Sequence, residues 1–370
     1  MPRVDSLTGL RWWAAFAVFA HHMGAFAPIP LPGLAYGTYG VTFFFVLSGF
    51  VLTWSSTAVR PQTFWWRRFA RIYPSHAVAL LLAIPVFYSF SPAADEWWVK
   101  PFDISILLLS VLLLQGWSRD PTILFSGNPA AWTLTCEAFF YALHPALNRA
   151  LMRVRVKGAL VVALSTFGVA LAFRIASIAA PDSWLNMGMP YPVARLSEFV
   201  IGMSLAWAVR SGWRPRTAPW ATYILAAAAL GVFILEPDFG VWGVTAFTNE
   251  IIIAVCAMMI AAVALRDLRG GFSLLRSRML VRLGEWSYAF YLVHATMIYA
   301  ARDVFGPRDV SWRNLVWYAV VLAVSLAVSA ALHYGVERYF ERRLRRWWDR
   351  REAHRSTRSQ TAATLPVSTP

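Results

Sequence analysis

The stretch "LTGLRWWAAFAVFAHHMGAF", residues 7–26, decides the fold. It has the roughly 20 mostly apolar residues that a helix needs to cross the hydrocarbon of a bilayer. It also carries Arg11, His21 and His22. Ionisable groups at that depth are costly and are kept where they act or where a partner compensates them. The stretch therefore predicts a membrane helix and, along it, polar groups that need a purpose.

The rest of the chain agrees. Of its 370 residues 58% are hydrophobic and 14% charged, against about 45–50% and about 25% in soluble domains. Eleven apolar segments stand out, near 7–26, 38–58, 75–92, 102–118, 130–151, 158–180, 191–209, 219–235, 245–265, 286–301 and 314–335. The formal net charge of +15 would suggest nucleic acid in a soluble protein. Here the arginines crowd 60–71, 149–157, 210–216, 266–282 and the stretch after 337, while 27–37, 181–190 and 236–243 hold no Lys or Arg. Loop 302–313, with three arginines, is the exception. That is the pattern of cytoplasmic loops under the positive-inside rule, and it excludes a nucleic-acid partner.

Basic flanks at both ends place both termini in the cytoplasm and demand an even number of crossings. Eleven is odd, and the conflict lies between 93 and 149. The segment 102–118 is therefore expected not to cross. The fold class is an all-α polytopic membrane protein with about ten transmembrane helices plus one re-entrant or non-crossing apolar segment. Backbone stopped at half depth usually lines a cavity, here beside residues 128–141. The first segment lacks a small-residue cleavage site and is expected to remain as the first span. Residues 1–350 read as one transmembrane domain and 351–370, polar and Ser/Thr/Pro-rich, as a disordered cytoplasmic tail. No internal repeat of the kind common in transporters is visible.

Several polar groups fall inside these segments. Arg11 and His22, eleven residues apart, share one helix face at an axial separation of about 16 Å; His21 points elsewhere. The loop "RPQTFWWRRFARIYPSH" sets Arg68 and Arg71 at i, i+3, where two guanidiniums can grip phosphates or anchor the inner surface. "GNPAAWTLTCEAFFYALHPAL" places Glu137 in an apolar run, suited to acid–base work or to an ion pair with Arg195. Cys136 beside it reads better as packing than as a nucleophile. Arg195 and Glu198 form an i, i+3 pair, and "LGEWSYAFYLVH" ends in His294, more often a structural histidine. Cys136 and Cys256 are the only cysteines, and neither a disulfide framework nor a metal motif is present.

Taken in order, "LTGLRWWAAFAVFAHH", "GVTFFFVLSGFVL", "RRFARIYP", "AWTLTCEAFFYALHP", "ARLSEFVIGM" and "LGEWSYAFYLVH" make the chain resemble the acyltransferase-3 family of bacterial membrane O-acyltransferases over nearly its whole length. Arg11 and His22 match that family's Arg-x10-His motif, Arg68 and Arg71 its Arg-x-x-Arg motif, and Glu137 the acidic residue of its W-S-L-S-x-E-like segment. The chain departs there, with Thr133 and Thr135 for the usual serines and Cys136 before the glutamate.

The resemblance implies a bacterial inner-membrane enzyme that moves an acyl group from acyl-CoA to a hydroxyl, without a metal. The acceptor would be a sugar or a glycosylated metabolite, polysaccharide or macrolide in type. It implies His22 as general base or transient acyl carrier, the role imidazole suits, with Glu137 orienting or charge-balancing it. Arg68 and Arg71 would bind the CoA phosphates, and Arg11 would guide the pantetheine arm or polarise the thioester carbonyl. The rival class is a transporter or permease for a small polar or acylated molecule, which would hold similar intramembrane groups without turning over acyl-CoA. A receptor or scaffold using polar side chains as helix glue is the third.

Overall fold

The structure is a computed structural model and describes residues 2–57, 59–92, 96, 98–235 and 243–363, with side chains to residue 353. Twelve α-helices of eight residues or more organise the described chain. They are α1 (Asp5–His22), α2 (Gly40–Trp54), α3 (Pro61–Phe87), α4 (Ile104–Val111), α5 (Trp132–Leu151), α6 (Val156–Ala179), α7 (Leu196–Arg210), α8 (Pro219–Leu235), α9 (Thr248–Leu268), α10 (Arg278–Phe305), α11 (Leu315–Leu332) and α12 (Arg338–Ala363). One two-residue parallel bridge, Tyr88–Ser89 with Lys100–Pro101, interrupts the helical pattern.

Among the described residues six helical stretches are long and apolar enough to cross a membrane: Pro32–Trp54, Pro61–Phe87, Val156–Ala179, Tyr191–Arg210, Val244–Leu268 and Trp312–Ala353. Helix α8 is apolar but shorter. Helices α1, α5 and α10, of 18, 20 and 28 residues, have the length of spans yet are more polar. These three carry Arg11, His22, Glu137 and His294.

The segment 102–118 is broken rather than continuous. Asp103 caps α4, accepting from the backbone of Ser105 at 2.8 Å and Ile106 at 3.2 Å. The helix ends after eight residues, about 12 Å, where Leu113 takes φ 56°. A single turn, Gln115–Trp117, follows. A helix of that length cannot cross about 30 Å of hydrocarbon. The chain then folds inward: Asn128 is fully buried and its amide donates to the carbonyl of Leu292 at 2.6 Å, which seats the start of α5 against α10.

Close helix contacts set the frame. A Cβ on Gly49 would lie 2.0 Å from the carbonyl oxygen of Phe199, and one on Gly202 only 1.9 Å from that of Val46. Glycine is required at this α2–α7 crossing, the small-residue packing typical of membrane helices. Between α1 and α10 the packing is aromatic, with Phe290 5.2 Å from Trp12 and 5.7 Å from Phe19 between ring centroids.

The last helix runs to Ala363, past residue 351, where the expected tail begins. Four α3-facing carboxylates hold it: Glu337 and Glu341 to Arg71, Asp349 to Arg67, and Glu352 to Arg60. Trp66 of α3 stacks on Trp348 at 5.3 Å. The anticipated tail was read from composition alone, which does not register a partner surface. Residues 364–370 of that tail lie outside the described residues.

Candidate active site

Helix α1 ends at His22, where α10 passes. His22 Nδ1 lies 2.9 Å from the carbonyl of Val18 and 3.2 Å from Nε2 of His294. His294 Nδ1 in turn lies 2.7 Å from the carbonyl of Tyr291. A carbonyl only accepts, so His294 carries its proton on Nδ1 and presents a lone pair at Nε2. His22 Nδ1–H donates to that lone pair and to Val18. The free lone pair of His22 is therefore on Nε2, as a base requires. Outside lies a cavity of about 640 Å³ lined by His21, His22, Pro28, Leu34, Tyr299 and Tyr318. His21 reaches the same cavity but has no part in the His22–His294 pair.

Arg11 and Glu137 share a different space, of about 60 Å³, with Phe45, Thr133, Tyr288 and Tyr291. Glu137 Oε2 accepts from the Tyr141 hydroxyl at 2.9 Å, one helical turn on. Tyr288 donates to the carbonyl of Ile72 at 2.7 Å. Tyr291 donates to that of Ala130 at 3.2 Å, beside the Thr133 hydroxyl at 3.1 Å. Among the described residues Glu137 makes no hydrogen bond to His22. The neighbour of His22 is His294, and Glu137 stands a level away with Arg11. Tyr291 joins the levels: its ring lines the Arg11–Glu137 space while its carbonyl holds His294.

The Arg-x-x-Arg pair is divided. Arg71 Nη1 lies 2.5 Å from Glu337 and 2.9 Å from Glu341, and Glu341 also meets Arg345 at 2.5 Å. Arg68 has no carboxylate partner among the described residues. Its Nε is buried without a hydrogen bond, and its guanidinium sits 5.8 Å from the centre of the Phe64 ring. It lines a cavity of about 830 Å³ together with Arg60, Arg67, His144, Arg149 and Arg210. Arg60 and Arg67 are tied to the last helix, and Arg210 donates to the carbonyl of Thr53 at 2.6 Å and the hydroxyl of Ser56 at 2.8 Å. His144 is stacked on Phe64 at 4.7 Å.

Sequence reasoning left His294 unassigned and did not single out Arg149, Arg210 or His144 for this cavity. The arginines were indistinguishable from ordinary loop charge. Elsewhere, Arg195 and Glu198 pair at 3.1 Å, and Cys136 is buried and free. Among the described residues no three His, Cys, Asp or Glu side chains gather as a metal site would need.

The family model for the acyltransferase domain matches residues 4–334. Acyltransferase MdmB of Streptomyces mycarofaciens is 34% identical over 365 residues, covering 90% of this chain and 91% of the relative. Peptidoglycan O-acetyltransferase OatA of Listeria monocytogenes serovar 1/2a is 29% identical over 167 residues, 39% of this chain and 24% of the relative. No solved structure matches the chain significantly. With span-length helices carrying the polar groups and a family match along nearly its whole length, the chain belongs to the acyltransferase-3 family of membrane O-acyltransferases.

Proposed function

We propose that the enzyme moves an acyl group from acyl-CoA to a hydroxyl of a sugar or glycosylated metabolite. The observation that carries this reading is the division of the polar groups between two ends of the bundle. A basic cavity with an uncompensated arginine, Arg68, opens near the start of α3. A histidine with a free Nε2 faces a separate cavity at the far end of α1. Arg68 holds donor phosphate, with Arg149 and Arg210 around it, while Arg71 positions the last helix beside it. The pantetheine arm passes Arg11 and Glu137. About 60 Å³ is the share of about two liquid waters, so that passage widens when the arm enters.

At the far end, His22 Nε2 takes the proton of the acceptor hydroxyl as its oxygen attacks the thioester carbonyl. Arg11, about 16 Å from His22 along α1, guides the arm toward the base from the level of Glu137. The tetrahedral intermediate collapses, the C–S bond breaks, and the CoA thiolate recovers the proton from His22. His294 Nε2 accepts from His22 Nδ1 throughout and strengthens its hold while His22 is cationic.

The reading places ten helices across the bacterial inner membrane: the six apolar stretches, the shorter α8, and the polar α1, α5 and α10. Both termini are cytoplasmic, so the acceptor enters from outside. The transmembrane domain spans 1–350. The test is mass spectrometry of sugars and secreted metabolites with and without the gene, beside acyl-CoA turnover by purified protein. A new acylated product lost with His22→Ala supports the reading. Transport of a solute without thioester turnover overturns it.

A further inference from the structure

Loop 302–313, between α10 and α11, is the exception to the charge pattern, with Arg302, Arg308 and Arg313. Four donors from this loop and its end are spent on one neighbour, the segment that leaves α1 after His22. The Arg302 guanidinium donates to the carbonyl of Ala25. The backbone N–H of Arg308 donates to that of Phe26 at 2.9 Å, and the N–H of Ser311 to that of Pro28 at 3.1 Å. The Asn314 amide donates to the same Pro28 carbonyl at 2.7 Å.

The segment so held is a wall of the cavity before His22, which Ala25 and the run Pro28–Ile29–Pro30–Leu31–Pro32 line. Three of those five residues are prolines and have no N–H to give. Within the run the backbone offers Leu31 N–H to Ile29 at 2.8 Å. The wall therefore depends on donors from outside it. Asn314 is fitted to supply one. It is 5% exposed and stands where α11 begins, the position at which an asparagine ordinarily caps its own helix. It makes no such cap. Both hydrogens of its Nδ2 go elsewhere, to Pro28 and, at 2.8 Å, to the carbonyl of Asp309. Both partners only accept, so the nitrogen and not the oxygen faces them. The second bond closes the loop on itself, and the first ties the closed loop to the wall.

We propose that Asn314, seconded by Arg302, is a positioning residue for His22: it holds the proline wall in place and so sets the width of the approach to the His22 ring. Neither side chain lines the cavity, so both act through the wall. As a determinant of which acceptor reaches the base, the clip rests on the acyltransfer reading above; as a constraint on access to His22 it stands without it.

The test uses the full chain in lipid nanodiscs and diethyl pyrocarbonate, which acylates a histidine nitrogen that has a free lone pair. Its rate of attack is read at each histidine by fragmentation mass spectrometry. Asn314→Asp keeps the shape of the side chain but offers the Pro28 carbonyl no donor. It should raise labelling of His22 about tenfold, the upper end of what one neutral hydrogen bond contributes. Arg302→Met, which cuts the clip at Ala25, should raise it severalfold, and Arg302→Lys, which keeps a donor, should stay near wild type. Arg302→Met decides the question if Asn314→Asp fails to fold. His144, buried at the opposite end, and CoA affinity should be unchanged in all three. Unchanged labelling of His22 in both Asn314→Asp and Arg302→Met overturns the proposal. So does an equal rise at His144, which would make Asn314 a general stabiliser of the bundle. Raised labelling of His22 in a protein whose wild type turns over no acyl-CoA overturns only the reading of the reaction, and turnover with unchanged labelling overturns only the clip.

Discussion

Replacing His294 by leucine removes the acceptor of the His22 Nδ1–H bond and leaves the other acceptor, the Val18 carbonyl at 2.9 Å, in place. His22 thus keeps its orientation and its Nε2 lone pair. What is lost is the part of the 3.2 Å bond that strengthens when His22 becomes cationic. A neutral hydrogen bond nets about 0.5–1.5 kcal/mol and one to a charged group about 1.5–3 kcal/mol. The difference, about 1–1.5 kcal/mol, corresponds to roughly a tenfold loss of kcat. His294→Gln, whose amide oxygen can accept, should recover part of it. The assay is release of CoA thiol under single-turnover conditions, with thermal unfolding as a check on folding. In the His22→Ala background His294→Leu should cost nothing further, because the two act as one unit. A loss as large as that of His22→Ala would make His294 the base itself. No loss, or additive losses in the double variant, would refute the coupling.

Other outcomes follow from the same geometry. His22→Ala should lower turnover by about 10²- to 10⁴-fold, the usual cost of a missing general base, and His21→Ala should be nearly silent; similar losses in both, measured by CoA release, would break the assignment. Arg68→Ala should weaken CoA binding in calorimetry with little change in stability. Arg71→Ala should instead lower the thermal midpoint, since it leaves the fully buried carboxylate of Glu337 with His333 alone, at 3.2 Å, a loss of about 3 kcal/mol. Burial pushes the Lys100 ammonium down to about 8, below its ordinary value near 10.4. From pH 8 to 10 the unfolded chain therefore holds more protons at this position than the folded one, and stability there rises with pH. The midpoint of wild type relative to Lys100→Gln should climb over that window, and a flat difference would count against the half-buried lysine. A cysteine at Ser211 should be labelled from the cytoplasm and one at Ser118 should not; cytoplasmic labelling of both would mean that 102–118 crosses the membrane.

The elements that could be read from sequence are those where one residue's cost announces itself. An arginine and a histidine in an apolar run, or Glu137 among aromatics, are legible because the bilayer charges heavily for them. The break of 102–118 was legible as a parity conflict, and Asp103 and Leu113 show how the chain makes it. What was not legible is which polar groups meet across helices. His22 and His294 are 272 residues apart, and nothing local in either helix names the other. Glu137, the nearest acid by family pattern, was the natural partner to assign, yet it sits with Arg11 and Tyr141. The pairing of the last helix with α3 was not legible for a related reason: Glu337, Glu341, Asp349 and Glu352 meet Arg71, Arg67 and Arg60 across more than 250 residues of sequence.

The split of Arg68 from Arg71 follows from helix geometry once both neighbours are known. Three residues along an α-helix advance about 4.5 Å and turn about 300°, so the two guanidiniums leave α3 some 60° apart and at different depths. Arg68, nearer the membrane surface, turns toward α5 and the basic cavity with His144 and Arg149. Arg71, one turn deeper, turns toward Glu337 and Glu341. A guanidinium held between two carboxylates has little left to offer a phosphate, whereas one without a carboxylate has its charge uncommitted. The same two-residue motif thus yields, on the proposed reading, a donor-binding group beside a structural clamp. The clamp has a functional consequence: it fixes the last helix, through Asp349 and Glu352, against Arg67 and Arg60 at the mouth of the cavity where Arg68 waits. Disturbing Arg71 should therefore alter donor affinity only through that helix, and Arg71→Lys, which keeps a cation between Glu337 and Glu341, should hold both the helix and the affinity.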